Sequence, residues 1–206
     1  MAWRVARGRA RERRSGQALV EFALIVPLFL LLLLGLLEFG FIFDHAMTVS
    51  YATREGARSG AAYASGNLTT MVCTTSQDVD KNIVAAVQRI LKAPGSAVAV
   101  NRITEIRIYK ALSNGTQDTT KANVWTYSAG GGPVVDGAPL DFVQGAVGWN
   151  ACTRNNGTSP DSIGVAVRYQ YSFVTPLASL MSFFGGAGSG GVSISDKTVM
   201  ALNPTK

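Results

Sequence analysis

His45 is the only histidine in the chain, and it has no partner for metal binding at ligand spacing. No carboxylate cluster shows such spacing either. The sequence lacks the GxSxG, Walker and GxGxxG patterns. The glycine-rich stretch GGAGSGG at 185–191 has neither the following lysine nor the strand–helix setting of a phosphate loop, so it reads as a linker. Asp136, Asp141 and Asp161 are scattered through loop-like sequence. These residues give no means of assembling a catalytic site. No enzyme, cofactor or metal is expected.

Two other chemistries remain. Cys73 and Cys152 are the only cysteines, too far apart for CxxC redox or zinc binding. In an oxidising compartment they suit one structural disulfide, closing a loop of about 80 residues worth roughly 4 kcal/mol. Two separately buried thiols are the alternative. The second chemistry is that of a lone carboxylate, Glu21. It stands in GQALVEF at 16–22, directly before an uncharged run, FALIVPLFLLLLLGLL, at 22–37.

That run sets the element on which Glu21 sits. After Glu38 the apolar character resumes through FGFIF to Phe43. Residues 22–43, at about 1.5 Å each, span roughly 33 Å, close to a bilayer's hydrocarbon core. The formal charge of +6 is lopsided: residues 1–16 hold six arginines against Glu12, which leaves +1 for the rest. Arginines beside a span keep their side in the cytoplasm, so the C-terminal part is expected outside. The near-neutral body gives no footprint for nucleic acid, and no nucleic acid is expected as a partner.

Arginines followed by an apolar run fit a cleaved secretory signal, a signal anchor or a prepilin-type leader. The first fits poorly, because the run is long and Asp44-His45-Ala46-Met47 is a poor cut site. The third gives Glu21 a purpose. Prepilin peptidases cut after a glycine on the cytoplasmic side. With the cut after Gly16, Gln17 is the first residue and Glu21 the fifth, followed by Phe22. A carboxylate at a bilayer edge costs a few kcal/mol, which an ammonium partner offsets. Alternatively, Glu21 merely sits at the lipid interface near the positive end of the helix dipole.

GQALVEFALIVPLFLLLLLGLLEFG followed by YATREGARSGA resembles the TadE-like family of the tight-adherence (Flp-type) pilus system. The matching features are the VEFAL start, Pro27, the second carboxylate in LLEFG and the REGAR segment, over about residues 14–62, with a weaker echo in VAVRYQYSFVTPL. The resemblance implies a minor pilin or pseudopilin, cut by a prepilin peptidase between Gly16 and Gln17. It implies that Glu21 pairs with the terminal amine of a neighbouring subunit and sets register. It implies pilin subunits, pilus assembly machinery and the lipid bilayer as partners, and a role in surface adhesion. Gln17 departs from the Phe or Met usual in major type IV pilins, which leaves N-methylation open. The runner-up is an uncleaved signal-anchored domain that binds a ligand or scaffolds a membrane complex.

Within the span, Pro27 removes a helix hydrogen bond and is expected to bend the helix slightly. Glu38 lies about 25 Å beyond Glu21, rotated by roughly 100°, and reads as a solvated anchor at the outer interface. Beyond the membrane, Ala46, Val49, Thr53, Ala57, Gly60 and Ala64 form a small-residue stripe that continues the helix and lets another element approach. Arg54, Glu55 and Arg58 flank it and read as a solvated side.

A second, amphipathic helix is expected over 77–92, with Asp78 and Asp80 at its start and Arg89 and Lys92 at its end. Alternation predicts a strand over 103–110, with Ile106 and Ile108 on one face and Glu105, Arg107 and Tyr109 on the other. A short strand follows at 123–128, then a loop-rich stretch over 129–161. Residues 163–174 form the clearest strand, with Val165, Val167, Tyr169, Tyr171 and Phe173 sharing a face. A short helix over 177–184 and a last strand from 192 complete the pattern. Tyr169, Tyr171, Trp125 and Trp149 read as core. The expected fold is α+β: a leader at 1–16, a spine helix at 17–65 with its transmembrane part about 22–43, and an exported head at 66–206.

Overall fold

The computed structural model describes residues 9–63, 76–157, 159–177, 179, 182 and 191–203. Helix α1 runs Arg9–Tyr63, and α2 runs Ser76–Leu91. The strands are β1 (Ile103–Ala111), β2 (Gln117–Tyr127), β3 (Val134–Val135), β4 (Ala138–Pro139), β5 (Phe142–Val147), β6 (Ser162–Tyr171) and β7 (Val192–Ala201). Five of them form an antiparallel sheet in the order β5-β2-β1-β6-β7, and β3 pairs with β4. The expected α+β class, with a long apolar N-terminal helix, is what the chain forms. Most of the stretch expected as the short helix at 177–184 lies outside the described residues, as does Ala64 of the stripe.

Two compact units make up the chain. One comprises Met1–Phe41 with Phe173–Gly190, the other Ile42–Ser172 with Gly191–Lys206.

In the second unit, small residues on α1 set the packing distance. Val49, Ala52, Thr53, Gly56, Ala57, Gly60 and Ala61 are buried. A Cβ at Gly56 would lie 2.5 Å from Val87 Cγ2 of α2 and 3.1 Å from Val165 Cγ1 of β6. A Cβ at Gly60 would lie 2.8 Å from Ile163 Cδ1. Helix, helix and sheet therefore meet where one of them has no side chain. Thr53 adds a polar tie: its Oγ1 donates to Asp196 Oδ2 at 2.7 Å on β7. Arg54 and Arg58 stay exposed, with Glu55 bonded to Arg58 at 2.9 Å, as the solvated-side reading holds.

The sheet follows the expected alternation. Val165, Val167, Tyr169 and Tyr171 are all buried, as are Ile106 and Ile108. Trp125 and Trp149 are core residues, too. Tyr109 points opposite to Ile108 and is nonetheless buried, because its cross-strand partner is Gly164, whose missing side chain leaves room for the ring. Several elements differ from expectation: β6 ends at Tyr171, short of Phe173, and β3 and β4 lie in the stretch read as loop. β2 begins at Gln117, six residues before the strand that the sequence suggests, and β5 runs through the stretch read as loop.

Candidate functional site

Along α1 the apolar side chains from Leu19 to Phe43 lie largely in the open: Leu24 is 73% exposed, Phe29 59% and Leu36 73%. The most apolar stretch has a mean hydropathy of 2.7, and none of it is buried. Among the described residues this is one N-terminal helix long and apolar enough to cross a membrane. Each such side chain left in water forgoes about 1.5–3 kcal/mol of burial. A surface of this size calls for lipid or other helices around it.

Gly16 and Gln17 stand on this helix, both exposed. Gln17 Nε2 donates to Glu21 Oε1 at 2.9 Å, the i,i+4 spacing that puts two side chains on one face. Phe22 is 66% exposed beside them. Because α1 begins at Arg9, Glu21 lies twelve residues into the helix, about three turns. The helix dipole acts within the first turn, so in the uncut chain it does not account for this carboxylate. Pro27 lies inside the helix without ending it.

Glu38 departs from the expectation of a solvated anchor. It is 2% exposed. Its Oε1 accepts from the Val174 N–H at 3.0 Å, and its Oε2 accepts from the Thr175 N–H at 2.9 Å and Thr175 Oγ1 at 2.5 Å. The burial comes from a segment 136 positions away, which no local pattern could announce.

In the second unit a buried ionic cluster was likewise hidden in the sequence. Asp80, expected only to favour the start of α2, pairs through Oδ1 with Arg154 Nη2 at 2.7 Å, both side chains fully buried. Asn123 Nδ2 donates to Asp80 Oδ2 at 2.6 Å, while Asn123 Oδ1 accepts from the Trp149 N–H at 2.9 Å. The Arg154 guanidinium lies 4.4 Å from the centre of the Trp149 ring. Burial pushes the Asp80 carboxyl above the usual carboxylate range, and Arg154 and Asn123 pull against that shift. The cluster joins α2, β2 and the short 3-10 turn Ala151–Thr153. Cys152 lies in that turn; its expected partner, Cys73, lies outside the described residues.

His45 is buried, with Tyr169 stacked 5.5 Å away and Tyr171 edge-on at 4.9 Å. Among the described residues no group of three or more His, Cys, Asp or Glu side chains could hold a metal. The structure sets the spine's site residues along one helix: Gly16, Gln17 and Glu21 on the open side, Glu38 under a return segment.

The model of the family described as TadE-like protein matches residues 16–58. The N-terminal helix is TadE-like. The match begins at Gly16 and ends at Arg58, so it takes in Glu21, Pro27, Glu38 and the REGAR segment. Within this helix, Gly56 and Ala57 of REGAR are buried inside the second unit, whereas Arg54 and Arg58 face water. No curated protein and no solved structure matches the chain.

Proposed function

We propose that the chain is a membrane-anchored minor pilin or pseudopilin of a tight-adherence pilus, with no enzymatic activity of its own. The observation that carries this reading is the unburied apolar surface of the TadE-like helix, bearing Glu21 at the fifth position after Gly16. A prepilin peptidase cuts between Gly16 and Gln17 on the cytoplasmic face. The arginines leave with the leader, and Gln17 gains a free amine. The spine then holds the subunit in the cytoplasmic membrane, with the C-terminal head outside.

On extraction from the bilayer the spine exchanges lipid for neighbouring helices of other pilin subunits and the assembly machinery. The surface demands one or the other, since it cannot stay in water. Glu21 meets the terminal amine of a neighbour and fixes axial register, because an unpaired carboxylate in that apolar bundle is costly. A Cys73–Cys152 bridge staples the exported head. The pilus serves attachment to surfaces.

The mass of the intact protein extracted from membranes tests the reading. Loss of residues 1–16 supports processing. A retained leader in cells with an active peptidase favours an uncleaved, signal-anchored scaffold or binding domain instead.

A further inference from the structure

We propose that the segment starting at Phe173 is a second lipid-contacting element, a foot held against the spine by Glu38 and submerged in the outer leaflet. This rests on the reading of the spine as membrane-spanning. Phe173–Gly190 belongs to the same compact unit as the spine. Glu38 fixes its depth. On the same helix Leu36 and Leu37, about 3 Å or less below Glu38, are exposed, as are Phe39 and Phe41, up to about 4.5 Å above it. A chain bonded to Glu38 therefore lies at the level of an open apolar band that continues on both sides of it.

Backbone at that depth must satisfy its polar groups within the protein. The N–H groups from Val174 to Leu177 do so residue by residue. The Val174 and Thr175 N–H groups go to Glu38, the Leu177 N–H goes to Thr175 Oγ1 at 3.4 Å, and Pro176 has no N–H to satisfy. Glu38 in turn has its charge met by three donors. The segment also brings no charge with it: no Asp, Glu, Lys or Arg occurs between Arg168 and Asp196. Val174 is 67% exposed, an open apolar side chain at the clasp itself.

The test uses the full chain in phosphatidylcholine vesicles, with a polarity-sensitive fluorophore on a single introduced thiol. Val174→Cys is the test site, Leu32→Cys the control in mid-span and Asn114→Cys the control in the head. Wild-type protein taken through the same labelling supplies the background from native thiols. The foot predicts blue-shifted emission at 174 that is quenched by shallow nitroxide-labelled lipid and spared by iodide. It also predicts that Glu38→Leu, which keeps the spine apolar, abolishes that lipid quenching. Quenching at 174 by iodide alone, with position 32 quenched by lipid, overturns the foot and leaves the spanning helix standing. Protection from both quenchers means that a second copy covers the segment, and overturns it as well. Retained lipid quenching in the Glu38→Leu variant overturns the clasp. Failure of position 32 to meet lipid removes the spanning reading and the foot together.

Discussion

Gln17 and Glu21 are joined by a 2.9 Å hydrogen bond on the open face of the spine, one helical turn apart. On the proposed cut, the first of them becomes the chain's new N-terminus. The carboxylate that is to pair with a neighbour's amine thus already sits beside its own first residue. Assembly exchanges a neutral amide donor for an ammonium, which turns a hydrogen bond to a carboxylate into an ion pair. Glu21→Ala is expected to insert and be cut normally, yet to be lost from sheared filaments. Normal incorporation of that variant would contradict the pairing role.

The buried pair Asp80–Arg154 predicts a large and pH-dependent loss. Arg154→Met leaves the Asp80 carboxylate buried without its cation, at a cost of about 3–5 kcal/mol. Asp80 is already pushed above its ordinary value of 3.8, and removal of Arg154 pushes it further. The folded state then holds that proton more tightly than the unfolded chain does. The deficit is accordingly smallest below pH 3.8 and grows as pH rises through the raised folded value. Denaturant melts of wild type and variant across pH check both the size and the slope.

Asp141 predicts the opposite slope. Its hydrogen bond from Lys92, aided by the Gly130 N–H, holds its carboxyl below the ordinary 3.8. The stabilisation is complete above 3.8 and is lost as pH falls through the lower folded value. Asp141→Asn should flatten the acid limb of the stability curve while leaving its shape near neutrality unchanged. An unaltered acid limb would count against the pairing.

Glycines on α1 divide by position. Gly56→Ala forces a methyl group against Val87 and Val165 and should cost about 1–3 kcal/mol. A Cβ at Gly35 meets nothing within 4 Å, so Gly35→Ala should stay within about 0.5 kcal/mol of wild type. Thermal melts of the detergent-solubilised chain distinguish the two. Equal effects would mean that close helix approach does not set the packing at Gly56.

The elements read correctly from sequence are those with a buried face and a clean period. The stripe on α1, the amphipathic α2 and the alternation in β6 each repeat long enough to declare themselves. β5 did not, because of its six residues only Phe142 is buried and Gly145 interrupts it at the edge of the sheet. The start of β2, QDTTK, is polar and solvent-facing, so pairing rather than burial makes it a strand. The site divides in the same way. The apolar run is local in sequence and was legible, as were the positions of Gly16 and Glu21 beside it. The Glu38 clasp spans 136 positions, and the Asp80–Arg154 pair spans 74. Contacts across such distances leave no trace in spacing.

The first residue of the protein recovered from membranes of cells with an active prepilin peptidase tests the central claim most directly. N-terminal sequencing is predicted to begin at Gln17, the Arg-rich leader gone and Glu21 at the fifth position. A product that begins at Met1 would contradict it.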